Sequence, residues 1–241
     1  MKHWKIALLV TLLVLSVAGI RFYFLWRERN APVVIHRSYV ERNLTDDEVV
    51  PVRHLLIDSM ESAKVLIGKS VWMQGGYQLP YYPAIGKHAN YAHRVALLPP
   101  AERIDVLGFF YQAAPAKEDN RVAHGSRQIL ALVKLKDGKS YAFPVGFVEG
   151  AKDETWYCDN IFYYDDPHLM YRHWPADVWA TIDAHSVKLG MNELQTAMSL
   201  GQLVQFSSAQ DGNRTIRYNV EGKEWVITFE KDKATEIIAP K

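Results

Sequence analysis

The 241-residue chain carries 28 lysine and arginine residues against 27 aspartate and glutamate residues, a net charge of +1. This balance excludes the strongly basic footprint of a nucleic-acid-binding protein, so we expect no nucleic-acid partner. Its single cysteine, Cys158, excludes an intramolecular disulfide framework, and the hydrophobic core must hold the fold together unaided.

The first predicted element is an apolar helix at the N-terminus. Ile6 to Ile20 carries no charge, and Ile6 to Trp26 supplies 21 residues with only Arg21 charged. About 20 apolar residues cross a bilayer, and an arginine near the end can reach the headgroups. We therefore expect residues 1–30 to be a membrane anchor, with the membrane contacted through residues 6–26. A cleaved signal peptide and a buried core helix are the alternatives.

Either an anchor or a signal peptide would place the large C-terminal part outside the cytoplasm. The expected location is therefore the bacterial cell envelope, as a single-pass membrane protein with its soluble part in the periplasm or exterior. Residues 31–51 then form a linker, since they are weakly patterned and contain Pro32.

Residues 52–168 are interpreted as a β-rich domain with a leading helix. Apolar residues at three- and four-residue spacing predict that helix over about 52–66, closed by Gly68. Asp137-Gly138 predicts a tight hairpin. Strands are predicted over 70–74, 94–98, 104–112, 128–135, 140–148 and 154–164. The expected arrangement is a small barrel or strongly bent sheet with long binding loops at 75–93 and 113–126.

Residues 169–241 are predicted to form a helix packed on an antiparallel meander. Pro175 suits the first turn of one helix, Asn192 can cap a second, and Gly201 ends it. Alternating apolar residues in the strands would face this helix. The strands are predicted over 202–208, 214–220, 224–230 and 234–238. The fold class is thus α+β with an N-terminal transmembrane helix.

Short motifs in this last region resemble a known family. They are Trp174-Pro175, Val178-Trp179, Ile182, Val187, Gly190-Met191, Gln195, Leu200-Gly201, Val226 and Phe229. Over about residues 171–238 they resemble the SmpA/OmlA (BamE-like) family. The resemblance implies a helix-on-sheet fold and noncatalytic work in the bacterial envelope through protein contacts. The same architecture resembles that of β-lactamase inhibitory proteins, which are also binding modules.

The chain departs from the SmpA/OmlA pattern in two places. It lacks the family's lipid-attachment cysteine, and Gln202-Leu203 stands where Gly-x-Pro is common. In the middle portion, Gly68 to Trp72 opens the strands with a weaker SH3-like resemblance.

Aromatic residues are the main candidates for partner binding. Large rigid rings with polar tips bind partners at little entropic cost. The candidate residues are Tyr77, Tyr81, Tyr82, Tyr163 and Tyr164. Rigid packing of a proline-rich loop is the alternative.

The side chains that could take part in catalysis form no recognisable catalytic motif. Cys158 lacks a flanking histidine and is expected to be a buried thiol, and Asp165-Asp166 is typical of a turn. The histidines show no zinc spacing, so we expect no metal or cofactor. The leading hypothesis is a noncatalytic, membrane-anchored envelope protein with a protein-binding or assembly-scaffold role, not an enzyme. Its candidate binding surfaces are the aromatic loop and the C-terminal sheet. A cell-wall or peptide hydrolase whose site forms only in three dimensions, and a passive spacer, are the alternatives.

Overall fold

The computed structural model describes residues 2–29, 43–75, 78–150, 153–202, 204–208 and 210–240. It divides the chain into two compact units, of which the first ends at Asn43 and the second begins at Leu44. The proposed division of the second unit at residues 168 and 169 stays a prediction.

The first unit contains one helix, α1, over Lys2–Arg29, with exposed apolar side chains that include Trp4 and Phe22. Among the described residues, no helix combines the length and the apolar character that a bilayer crossing requires. The predicted transmembrane helix is therefore wrong, and the fold class is corrected accordingly. The charge-free stretch Ile6 to Ile20 has only 15 residues before Arg21. It covers about 22 Å of a hydrocarbon core that is roughly 30 Å thick.

The second unit is built mainly of strands, with short helices between them. Its helices are α2 Met60–Ala63, followed by a 3-10 turn Lys64–Leu66, α3 Cys158–Ile161, α4 Pro167–Met170, α5 Ala176–Asp183 and α6 Glu193–Leu200. Its first nine strands are β1 Ser70–Met73, β2 Pro80–Ile85, β3 His88–Ala89, β4 Ala96–Leu97, β5 Arg103–Gln112, β6 Arg127–Lys134, β7 Ser140–Glu149, β8 Asp153–Trp156 and β9 Phe162–Tyr163. The last four are β10 Val204–Phe206, β11 Thr215–Val220, β12 Lys223–Glu230 and β13 Lys233–Ile238.

The nine early strands form one bent sheet in the order β3-β2-β7-β6-β5-β1-β9, with β4 beside β2 and β8 beside β7. Three long antiparallel strands, β5 to β7, make its centre. β-Bulges shift the register near Gly108 and between Ile129 and Leu130, which bends the sheet. Apolar side chains cover both faces, because separate buried clusters contain Phe143 and Tyr82.

The hairpin between β6 and β7 turns at the expected Asp137-Gly138, where Gly138 has a φ of 77°. Tyr141 donates its hydroxyl to Asp137 Oδ2 at 2.6 Å, and the Lys139 N–H donates to Oδ1 of the same carboxylate at 3.0 Å. The hydrogen bond to this carboxylate raises the pKa of Tyr141 to about 12. The turn is thus held by its own aspartate.

We expect Asp137→Asn to lower the pKa of Tyr141 from about 12 toward its ordinary value of 10.0, because an amide does not stabilise the phenol proton as a carboxylate does. The stabilising effect of the raised pKa is present below pH 10 and is lost as the pH rises through about 12. NMR titration of ring-labelled tyrosine, assigned with Tyr141→Phe, measures it. Asp153→Asn, at the exposed start of β8, is the control and should leave the pKa unchanged.

The predicted helix over 52–66 is wrong for its first half. Asp159 accepts the backbone N–H groups of Leu55 at 2.7 Å and Ile57 at 3.1 Å, which pins residues 51–58 outside any helix. The helix begins only at Met60, where Ser59 provides the N-cap. A carboxylate far along the chain has overridden the local periodicity.

The predicted strand over 154–164 is divided in two. β8 pairs with β7, whereas β9 pairs with β1 on the other side of the sheet, so the chain crosses between them through α3. In the opposite sense, the predicted loop 75–93 contains strand β2. Its residues Pro80 and Pro83 argue against a strand, but β2 pairs with β7 through only two residues.

A cluster of aromatic rings packs the helices together. The ring of Tyr171 stacks on that of Trp174 with centroids 4.5 Å apart, and Trp174 lies 5.1 Å from Trp179. Asp47 connects this cluster to the start of α6. Its carboxylate accepts hydrogen bonds from Trp174 Nε1 at 2.6 Å and from Asn192 Nδ2 at 2.7 Å, and it also contacts the ring of His173. Residues near position 47 are therefore part of the folded unit.

The four-stranded sheet is an antiparallel meander in the order β10-β11-β12-β13, and α6 packs on its inner face. The side chain of Asn192 caps α6 by accepting a hydrogen bond from the Gln195 N–H at 2.7 Å. In return, the Asn192 N–H donates to Gln195 Oε1 at 3.0 Å. Gly201 ends the helix with a φ of 89°, a backbone conformation that side chains disfavour. The helix and sheet share a core of Leu200, Ile216, Tyr218, Ile227 and Phe229.

Candidate functional site

The five candidate tyrosines do not share one surface. Tyr77 lies outside the described residues. Tyr82 is fully buried and donates to Glu118, and Tyr163 and Tyr164 are 8% and 7% exposed. Burial is also the main cause that raises the pKa of these three phenols. Tyr81 is half-buried and packs edge-on against Tyr141, with ring centroids 5.0 Å apart.

Cys158 and Asp165, the catalytic candidates considered from the sequence, have structural roles in the fold. Cys158 is fully buried, and burial raises the pKa of its thiol, which disfavours the thiolate needed for nucleophilic attack. Asp165 pairs with Arg53 at 3.0 Å. Among the described residues, no group of three or more histidine, cysteine or acidic side chains is placed to hold a metal ion.

His168 lies between two aspartates. Its Nδ1 lies 2.9 Å from Asp166 Oδ1, its Nε2 lies 3.1 Å from Asp183 Oδ1, and its ring stacks on Trp179 at 4.1 Å. Because both ring nitrogens contact carboxylates, neither is available to take a proton from a substrate. This histidine therefore links α4 to α5.

A cavity of about 510 Å³ lies between α6 and β10, and we call it the edge groove. Leu194 and Ala197 of α6 line one side, and Val204 and Phe206 of β10 line the other. Its floor is the inner face of β11, where Ile216 and Tyr218 are buried. An apolar cavity of this size accepts one or two side chains of a ligand.

Charged residues close one end of the edge groove, beside the loop between β10 and β11. Arg214 donates two hydrogen bonds to Glu193, from Nη2 to Oε2 at 2.6 Å and from Nε to Oε1 at 3.1 Å. Its Nη1 reaches Asp211 Oδ1 at 2.7 Å, and the guanidinium lies 4.1 Å from the ring centre of Phe206. The hydrogen bond with Glu193 is the main cause that raises the pKa of Arg214, so the cation is fixed in place.

The backbone of β10 borders the edge groove with unpaired polar groups. No strand among the described residues pairs with its outer edge. Ser207 N donates to Thr215 O at 2.9 Å, so by antiparallel alternation Gln205 and Arg217 form the next hydrogen-bonded pair. The N–H and C=O groups of Val204 and Phe206 therefore point toward the free edge. Phe206 is 53% exposed there.

The far end of the edge groove is fixed by a contact with the larger sheet's loops. Gln78 is buried, and its Nε2 donates to the carbonyl of Leu200 at 2.6 Å. Arg121 in turn donates to the carbonyl of Gln78 at 2.8 Å. Arg121 and Val204 line the same cavity, so Arg121 lies beside this end of β10.

Sequence reasoning named the C-terminal sheet as a candidate surface, but it named none of the residues of the edge groove as candidates for binding. The meander and α6 were predicted, and Val204 and Phe206 belong to a predicted strand, but Glu193 and Arg214 are 21 residues apart and meet only through the hairpin. The available signal in the sequence was the apolar–polar–apolar order of Val204, Gln205 and Phe206 in the first strand of a meander.

No family model, no curated protein and no solved structure matches this chain. Its function must therefore be inferred from the geometry of its own residues.

Proposed function

We propose that the second unit is a noncatalytic protein-binding module that accepts an extended segment of a partner chain along β10. The observation that carries this proposal is the free edge of β10, where the backbone groups of Val204 and Phe206 lie beside the edge groove. Extended peptides bind sheet edges through main-chain hydrogen bonds, and pockets for alternate side chains give specificity.

The composition of the edge groove supports a peptide occupant. Apolar side chains line most of it together with Gln202, and its charged groups are Glu193, Asp211 and Arg214. A strand added to β10 would place every second side chain toward α6, in the space next to Ala197. The SmpA/OmlA resemblance supports the same class of function, and it makes a bacterial envelope location part of the proposal. Cell fractionation followed by immunoblotting tests that location.

We expect Ala197→Phe to weaken peptide binding at least tenfold, because the added ring fills the edge groove. The probe is a displayed library of random nine-residue segments selected on the full-length chain. Enriched segments should alternate apolar and polar residues, and they should lose binding to the variant.

The matched control is Ala180→Phe, which places the same ring at an exposed position on α5. It should bind the enriched segments as the unmodified chain does. A library that yields no enriched segment, or segments that bind the Ala197→Phe chain equally well, would contradict the proposed function.

A further inference from the structure

The charged side chains that line the edge groove leave a net negative charge inside it. They are Glu193, Asp211 and Arg214. Glu193 and Arg214 form a nearly buried pair, with side chains 16% and 12% exposed, and their two charges cancel. Asp211 adds a further carboxylate, which no second cation among the described residues that line the groove balances.

Asp211 is the carboxylate of the groove that a ligand can reach. Its side chain is 85% exposed, and Arg214 Nη1 lies 2.7 Å from its Oδ1. A carboxylate has two oxygens and about four lone-pair sites, so Asp211 can accept a second charged donor without releasing Arg214. Glu193 is less available, because its two oxygens already accept from Arg214 and from the Gly212 N–H.

The register of β10 decides which side chains of an added strand face the groove. Phe206 pairs with Ile216 and Val204 pairs with Tyr218, and both partners are buried on the inner face of the meander. Directly opposite residues of neighbouring strands share a face, so a residue that pairs with Phe206 from the free edge also faces α6. Its side chain lies beside the Phe206 ring and close to the charged end, because the Arg214 guanidinium is 4.1 Å from the centre of that ring.

Resting on the proposed function, we propose that the edge groove selects an extended segment with an arginine or lysine opposite Phe206 and an apolar residue opposite Val204. The aliphatic part of the basic side chain packs along the apolar walls of the groove, and its charged end binds the exposed carboxylate of Asp211. An acidic side chain at the same position is repelled by that carboxylate. The apolar walls thus provide contact area, and Asp211 provides the selection.

Three peptides that differ in one side chain test this selection. They have the sequence acetyl-Ser-Thr-Val-Thr-X-Thr-Val-Thr-Ser-amide, in which X is arginine, citrulline or glutamate. A valine lies two residues from X on both sides, so X can lie opposite Phe206, with a valine opposite Val204, whichever way the segment runs. Citrulline has nearly the shape of arginine without its charge, so it isolates the contribution of the charge.

Binding of each labelled peptide to the full-length chain is followed by fluorescence anisotropy. We expect the arginine peptide to bind about threefold more tightly than the citrulline peptide, the usual size of an effect from an exposed ion pair. It should bind about tenfold more tightly than the glutamate peptide, in which attraction is replaced by repulsion. Both differences should shrink in about 0.5 M salt, where the Debye length is short.

Asp211→Asn provides a test on the protein side. It removes the exposed negative charge and keeps the shape of the side chain, so the arginine and citrulline peptides should then bind about equally. Asp153→Asn, at the exposed start of β8 in the larger sheet, is the matched control and should keep the full preference for arginine.

The outcomes separate this inference from the proposed function. If none of the three peptides binds, the proposed function fails as well. Equal binding of the arginine and citrulline peptides to the unmodified chain, or a preference that Asp211→Asn leaves unchanged, overturns the selection alone. If a second copy of the chain occupies the free edge instead, sedimentation will show a concentration-dependent dimer that excludes the arginine peptide, which also overturns the inference.

Discussion

Replacing Asp47 with alanine is expected to lower the free energy of unfolding of the second unit by about 3 kcal/mol. The carboxylate accepts from Trp174 and Asn192, and both donors are buried. Without it, the indole N–H and the amide that caps α6 lose a charged acceptor, a loss of roughly 1.5 to 3 kcal/mol for each such bond. Thermal unfolding followed by circular dichroism should show the midpoint lowered by roughly 6 to 12 °C.

Asp46→Ala is the control for this change. Its side chain is exposed one residue earlier, so it should shift the midpoint by no more than about 1 °C. If both variants unfold at the same temperature, Asp47 does not hold the aromatic cluster and α6 together.

Replacing Gly201 with alanine should destabilise the second unit by about 3 kcal/mol or more. The residue has φ 89° and ψ −171°, a combination that is essentially restricted to glycine and costs other residues about 1 to 3 kcal/mol. In addition, an added Cβ would lie 2.1 Å from Gln78 Nε2 and 2.6 Å from its Cδ. Gln78 is buried and bonded to Leu200, so it cannot move aside without losing that bond.

Two further variants separate the overlap from the backbone strain. Gly190→Ala, at a φ of 83° with no atom within 4 Å of the new Cβ, should cost only about 1 kcal/mol. In a Gln78→Ala background, Gly201→Ala should lose its overlap, and the double-mutant cycle should show a coupling energy of about 1 kcal/mol or more. Additive effects of Gln78→Ala and Gly201→Ala in chemical denaturation would contradict the contact.

The sequence predicted the parts of the fold that local chemistry determines. The Asp137-Gly138 turn, the cap at Asn192 and the helix end at Gly201 all lie where short-range signals placed them. The long strands β5, β6 and β7 also lie where runs of β-branched and aromatic residues predicted them. Helix 52–66 was wrong because Asp159 holds its first residues from a distant part of the chain. Such a contact leaves no trace in local periodicity.

The candidate site depended on tertiary structure in the same way. Tyr81 and Tyr82 were predicted to lie in a binding loop, but they belong to strand β2, and apolar clusters cover both faces of this sheet. The edge groove needs a helix, a strand edge and a salt bridge between Glu193 and Arg214 to meet. The N-terminal helix was misjudged because the predicted span was counted through Arg21, on the assumption that the side chain of this arginine reaches the headgroups.

The shortness of β10 sets how long a partner would stay bound. Among the described residues, β10 presents the outward backbone groups of Val204 and Phe206, so an added strand gains at most four main-chain hydrogen bonds from them. At a net of roughly 1 kcal/mol each, these bonds and one or two apolar side chains limit the affinity to the micromolar range or weaker, because association also costs translational and rotational freedom. Dissociation would then be fast, and lasting attachment would require avidity from several linked segments. The same brevity gives other copies of the chain little backbone to pair with at the β10 edge.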